Sequence, residues 1–254
     1  SALPHFTSKL SDASPRWAAM VDGGESVATQ ALQLWLKPTT AELGFVAPPN
    51  ATSGVSLSAF AHPYATWSDM THVLPQEAWP KDQTPNSLAY FIGVLPDEDP
   101  HSFPPLTDHE YPARMRQRLK ERAVEWVQQR LPRIWPALPT DASALAAVLV
   151  PARPANDTAE VLESQFMKAN VDPSGRYILS APGKINGTRL HPADSSFVNM
   201  VLAGDWTLNG VNAGCAESAI TSGMLASRAL VGEPRDDLFT DYFFQFGAPA
   251  PLKA

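Results

Sequence analysis

The sequence predicts an α+β protein, a mixed or antiparallel sheet with helices. Three stretches carry that expectation. Thr29 to Leu36 alternates with the two-residue period of a strand. Met115, Leu119, Ala123, Trp126, Val127 and Leu131 recur at helical spacing between Pro112 and Pro136. Further on, the apolar run Val198 to Leu202 meets a Gly204-Asp205 stop, and a helical pattern follows from Ala216 to Val231.

Taken in order, residues 1–29 read as helix and loop. Trp17, Ala18, Met20 and Val21 make an apolar patch that Gly23-Gly24 breaks. In the strand from Thr29, Ala31, Gln33 and Trp35 take one face and Leu32, Leu34 and Leu36 the other, with Pro38 as the stop. Trp35 reads as core before it reads as a substrate platform. Val55 to Ala61 is a second strand and Ser87 to Leu95 a third, with Leu88, Tyr90, Ile92 and Val94 on one face. Between them, Pro63 to Pro85 carries Tyr64, Trp67, Met70, His72 and Trp79. It is either a loop lining a pocket or a Pro-braced surface loop.

Pro96 to Pro112 is an acidic, Pro-rich connection. Ala113 to Trp135 is the clearest helix, which Pro132 ends or kinks. Its basic residues (Arg114, Arg116, Arg118, Lys120, Arg122) are spread around the axis and interleaved with Glu121 and Glu125, the pattern of a solvated face. Ala142 to Val150 is a short helix or a buried strand. Thr158 to Ala169 reads as an amphipathic helix with Val161, Leu162 and Phe166 inward and Asp157 as N-cap. Arg176 to Ser180 is a strand, and Pro182-Gly183 and Asn186-Gly187 are turns. In the final helix, Ala216, Ala219, Ile220, Gly223, Met224, Ala226 and Ala229 lie on or near one face. Asn212 or Gly214 is its expected cap, and it stops before Gly232. The aromatic tail with Phe239, Tyr242, Phe243, Phe244 and Phe246 is too apolar to hang free and is expected to dock on the body or a partner.

Composition bounds the function. The 254 residues suffice for one large or two small domains, and 44% hydrophobic with 18% charged residues describes a globular chain. A formal charge of −7 weighs against nucleic-acid binding. No apolar run reaches the ~18 residues of a membrane span, and the first residues show no targeting pattern. The single Cys215 excludes an internal disulfide and fits a reducing, cytoplasmic setting. The three Asn-x-Thr sequons at Asn50, Asn156 and Asn186 then read as chance. The six His are scattered without metal-ligand spacing, so no metal site is expected, and no Gly-x-Ser-x-Gly elbow occurs.

One segment carries chemistry. Ala203-Gly204-Asp205-Trp206-Thr207, then Gly210, Glu217 and Ser222-Gly223, place a turn and the N-terminus of a helix together. Any α/β domain can contain such a strand-turn-helix, with Gly204 serving only the turn. The combination of residues nevertheless resembles the C-terminal flavin-binding segment of the FAD-dependent amine oxidase superfamily, which includes phytoene-desaturase-like enzymes. The loop between Gly210 and Glu217 is about one residue longer than the family's, and Ser218 stands where the family has Gly. The Gln-rich strand ending in Leu34-Trp35-Leu36 is similar to the first substrate-domain strand of some phytoene-desaturase-like proteins.

The resemblance implies the last strand and helix of an FAD-binding Rossmann-like domain. Gly204 and Asp205 would approach the FAD pyrophosphate and ribityl chain, and Trp206 and Thr207 would follow along the flavin. The loop with Gly210, Asn212 and Ala213 would lead to backbone N–H groups of Cys215, Ala216 or Glu217 at the pyrimidine edge. The implied division is a substrate domain over 1–190, the FAD segment over 191–232 and the tail over 233–254. The implied chemistry is hydride transfer from a small-molecule substrate to flavin N5, with no catalytic side chain singled out.

The family's Gly-x-Gly-x-x-Gly dinucleotide turn is not in this sequence. The resemblance therefore leads to the expectation of a parent polypeptide or second chain that carries it. The alternative is a non-catalytic binding or assembly module that keeps the fold without the flavin.

Overall fold

The computed structural model describes residues 7–49, 51, 54–58, 61–98, 107–180 and 183–232. The chain is a mixed α+β protein with two antiparallel sheets and several helices. It separates into two compact units, Ala28–Asp172 and the combination of Ser1–Val27 with Pro173–Ala254. The aromatic tail lies outside the described residues.

In the first of these units, β2 (Thr29–Leu36) is central to a five-stranded sheet. β5 (Ser87–Val94) flanks it on one side and β6 (Phe166–Asn170) on the other, with β4 (Thr66–Asp69) and then β3 (Ser56–Ser58) beyond β5. All the pairings are antiparallel. Alternation decides which side each residue takes. Leu32, Leu34, Leu36, Ala89 and Phe91 join the main core with Tyr64 and Trp67. Against it pack the inward residues of α3 (Tyr111–Arg130), namely Tyr111, Met115, Leu119, Ala123, Trp126 and Val127. Leu131–Arg133 continues as a 3-10 turn around Pro132, so the α-helix starts earlier and stops earlier than its sequence pattern. Trp67, Phe91, Trp126 and Trp135 meet edge-on at 5.2 to 5.7 Å between ring centroids. The basic face of α3 is solvated, with Arg114 bridging Glu98 at 2.9 Å and Asp108 at 2.8 Å.

Residues 142–150 resolve into a helix and a bridge. α4 (Ala142–Val148) is capped by Asp141, and Leu149 then pairs singly with Leu36. The expected helix from Thr158 to Ala169 is corrected. Only α5 (Thr158–Ser164) is helical, capped by Asp157 as expected, and Phe166 starts β6 with 42% of its surface exposed. The ladder between β6 and β2 overrides the continuing helical spacing. β4 falls inside the stretch read as loop. Its Trp67 is fully buried, as is Tyr64 just before it.

The other unit begins with α1 (Ser8–Ala13) and α2 (Pro15–Gly23). Trp17 and Met20 face a small core with Leu190 and Leu202. The chain turns at Gly23-Gly24 into β1 (Gly24–Val27), a strand the sequence pattern did not show. β1 pairs antiparallel with β7 (Tyr177–Ser180). Asn186-Gly187, read as a turn, lies in the short helix α6 (Ile185–Thr188).

The apolar run from Val198 to Leu202 is not a strand, and Val198 is 95% exposed. A strand requires a ladder partner, and none among the described residues pairs with it. Its backbone turns back locally instead. The Leu202 N–H donates to the Pro192 carbonyl at 2.9 Å, and the buried Ser195 hydroxyl reaches the Met200 carbonyl at 2.6 Å. The final helix, α7 (Ala216–Val231), has the expected bounds, closed by Gly232 at φ 79°.

Candidate functional site

The turn at Gly204 is built by its own residues. The Thr207 N–H donates to the Gly204 carbonyl at 3.2 Å, closing a four-residue turn. Gly204 sits at φ 133°, and a Cβ there would collide with the Trp206 indole, so only glycine fits. Trp206 itself leans toward Trp17, 6.5 Å away between ring centroids, and packs on the small core of α2.

Buried polar groups tie this turn to α7. Ser222, in the second turn of that helix, accepts from the Gly204 N–H at 3.0 Å and shares a 2.7 Å hydrogen bond with the Thr207 hydroxyl. Asn209 spans the remaining gap. Its amide nitrogen donates to the Ser218 carbonyl at 3.1 Å and to the Ser218 hydroxyl at 2.9 Å. Its amide oxygen accepts from the N–H groups of Val211 and Asn212, both at 3.1 Å. Asn212 returns the bond, accepting from the Asn209 N–H at 2.9 Å, and holds a left-handed φ of 54°. Gly210 between them is at φ 92°. Thr207, Asn209, Ser218 and Ser222 are all 2% exposed or less, so each bond is made away from water, where losing one is costly.

Behind the turn lies Arg189, 4% exposed. It donates to the Asp205 carbonyl at 2.6 Å, to the Thr207 carbonyl at 3.3 Å and to the Ser180 hydroxyl at 2.9 Å. Burial holds this guanidinium below its ordinary range, and the charge of Asp205 opposes that shift. The Asp205 carboxylate is half-exposed and makes no hydrogen bond among the described residues.

The helix N-terminus stands open. Cys215 is the N-cap residue with no side-chain cap, which corrects the expected capping by Asn212 or Gly214. Cys215 is half-buried, while Ala213, Ala216 and Glu217 are exposed. An uncapped first turn leaves N–H groups and positive dipole facing outward. The inward face of α7 also differs from the expected one. Ser218, Thr221, Ser222, Leu225 and Ala226 are buried, while Ala216, Ala219 and Ile220 face out, Ile220 at 62%.

The structure thus joins Gly204, Asp205, Thr207 and the helix start in one local assembly. It adds Arg189, Asn209 and Ser218, to which sequence reasoning gave no role in the site. The signal for Ser218 and Ser222 was their four-residue spacing on one helical face. Asn209-Gly210 is a turn signal in the sequence, so Asn209 reads as a turn residue only, and Arg189 merely follows the Asn186-Gly187 turn signal. Among the described residues no group of His, Cys, Asp and Glu is placed to hold a metal ion. No helix among them is long and apolar enough to cross a membrane. No protein-family model, curated protein or solved structure compared with this chain matches it.

Proposed function

We propose that this chain supplies the substrate-domain and C-terminal cofactor-binding part of an FAD-dependent oxidoreductase similar to amine oxidases and phytoene-desaturase-like enzymes. The observation that carries this reading is the bracket between turn and helix. Gly204, Thr207 and Ser222, three residues on which the resemblance rests, are the ones hydrogen-bonded to one another. The result is an uncapped helix start beside a free carboxylate, a donor and acceptor set suited to an electron-rich ring edge and sugar-like hydroxyls.

In this reading Asp205 accepts from ribityl hydroxyls, and the N–H groups of Ala216 and Glu217 face the flavin's pyrimidine edge. Arg189 and Asn209 hold the turn and the loop with Gly210, Asn212 and Ala213 in place. FAD, when bound, supplies the hydride-accepting N5. In the other unit, the second sheet face offers half-exposed Gln33, Tyr90, Ile92, Thr66 and Ser68, with Phe166 beside them. That mixture of rings, hydroxyls and an amide suits the wall of a small-molecule site. The dinucleotide fold comes from a parent polypeptide or a second chain, and 191–232 serves as the Rossmann-like FAD segment attached to the substrate domain of 1–190.

A second reading, a binding or assembly module without flavin, draws on the irregular course of residues 198–202, which enter no sheet.

The test is the visible spectrum of the protein purified from its native source, read beside a denaturing gel. Flavin absorbance is expected, with either a longer single band or a co-purifying second chain. Ser222→Ala should then weaken FAD retention by about tenfold, the equivalent of one or two buried hydrogen bonds. A colourless protein that takes up no added FAD, with every co-purifying chain present, overturns the flavoenzyme reading in favour of the module.

A further inference from the structure

The unit Ala28–Asp172 contains a cleft of about 990 Å3. Its volume sits at the upper end of the ~300–1,000 Å3 common for small-molecule sites. Trp35, one residue before the end of β2, lines the cleft. One wall runs from Glu77 to Thr84 and the other from Val150 to Asn156.

Both walls are fixed by hydrogen bonds within the chain. One oxygen of Glu77, Oε2, accepts from the Trp35 indole at 2.9 Å and from the Trp79 indole at 2.6 Å. The two rings stand 5.6 Å apart at 61° to each other. Opposite them, the Val150 N–H donates to the Trp35 carbonyl at 2.8 Å. The buried Gln165 side chain locks that junction, accepting from the Trp35 N–H at 3.0 Å and donating to the Val150 carbonyl at 3.0 Å. The Ala152 N–H is held by the Ser164 hydroxyl at 3.2 Å. Walls ordered in advance lower the entropic cost of binding.

The cleft's charges come in two opposite pairs, Glu77 and Asp82 against Lys37 and Arg153. The second oxygen of Glu77 and the Asp82 carboxylate make no hydrogen bond among the described residues. Lys37 places one donor on the Ala147 carbonyl at 2.7 Å, and Arg153 makes one long contact of 3.5 Å to the Glu163 carbonyl. Both cations therefore keep donors free. The Glu77 carboxylate takes both indole N–H groups at the ring edges, and the half-exposed Trp79 ring beside it suits an alkylated ammonium, while Lys with Arg suit a carboxylate or phosphate. A ligand that carries both signs engages both pairs, while a ligand of one sign engages only one of them. We propose that this cleft binds a small zwitterion, its alkylated ammonium against Trp79 and Glu77 and its anionic group on Lys37 and Arg153. The site stands independently of the flavin reading.

The test is calorimetric titration of the purified chain with phosphocholine, and with choline and inorganic phosphate separately. Phosphocholine should saturate with a Kd below ~1 mM, and each half-ligand should bind at least about tenfold more weakly. Glu77→Gln keeps an acceptor for both indoles while removing the charge. It should weaken phosphocholine by about tenfold and leave phosphate unchanged. Arg153→Gln, at an exposed position, should weaken phosphocholine and phosphate alike and leave choline unchanged. Circular dichroism confirms that each variant is folded, and Arg153→Gln alone decides the anionic half if Glu77→Gln is not. Co-sedimentation with phosphatidylcholine vesicles would assign the ligand as a lipid headgroup, and binding of phosphocholine without vesicle binding would assign a free solute. Absence of saturable phosphocholine binding to the folded wild type overturns the proposal. So does choline or phosphate binding as tightly as phosphocholine.

Discussion

The core around Trp67, Phe91 and Trp135 and the bracket around Thr207, Asn209 and Ser222 are equally deep, and they are held by opposite chemistry. In the first, all three rings are fully buried, and the indole nitrogens of Trp67 and Trp135 find no partner among the described residues. Packing alone orients them. In the second, no large apolar side chain is involved, and four small polar residues satisfy one another and the backbone. Apolar burial is non-directional, while hydrogen bonds fix the distance and angle between each donor and acceptor. A region that only has to be stable can use the first. A turn whose donors and acceptors keep fixed positions beside a helix start uses the second.

The largest expected effect is in the ring core. Trp135→Ala should destabilise that unit by about 3–5 kcal/mol, read as a shift in the urea midpoint at constant slope. Trp135→Phe, which keeps most of the volume and removes an unpartnered N–H, should cost less than ~1.5 kcal/mol. If the two variants are equally damaging, the indole nitrogen is bonded after all and the core is not held by packing alone. The bracket should respond the other way. Asn209→Ala should cost about 1–3 kcal/mol because it strands the N–H groups of Val211 and Asn212 and both oxygens of Ser218. Asn209→Leu, similar in volume, should rescue none of it. A Leu variant as stable as wild type would mean that the bracket, too, is held by packing.

The same contrast governs what the sequence made legible. β2 has the bounds its alternation indicates, and six residues at helical spacing near Ala113–Trp135 are buried as their period requires. Apolar periodicity is a local pattern with a local meaning. The failures are where a distant partner decides. Val161, Leu162 and Phe166 continue a helical period, yet Gln165 is claimed by Trp35 and Val150 and the chain crosses over to pair with β2. Residues 198–202 have a strand's composition without a ladder to join. In the candidate site, Gly204 and the bounds of α7 were readable from turn and helix signals. Arg189, Asn209 and Ser218 were not, because a buried polar residue looks like a surface residue until its partners are known.

The smallest expected effect tests whether polar burial in this unit carries a pH signature that the ring core lacks. His191 is half-buried, and its Nδ1 accepts from the Ala193 N–H at 3.1 Å. Burial, chiefly, holds its pKa below the ordinary 6.5. Asp194 opposes the shift and Arg228 adds to it. The unfolded chain therefore takes up the proton first as pH falls. Stability is fully present above 6.5 and declines as pH drops through the window between that value and the folded pKa. Asp194 is also depressed, first by its hydrogen bond from Arg16, so its contribution is lost only lower, as pH falls below the ordinary 3.8. His191→Asn keeps an acceptor for Ala193 and cannot titrate. Melting curves at about pH 8 and about pH 5 should show wild type losing more stability than the variant between them, with no such difference for Trp135→Phe against wild type. Equal losses in wild type and His191→Asn would mean that His191 is protonated without penalty in the fold.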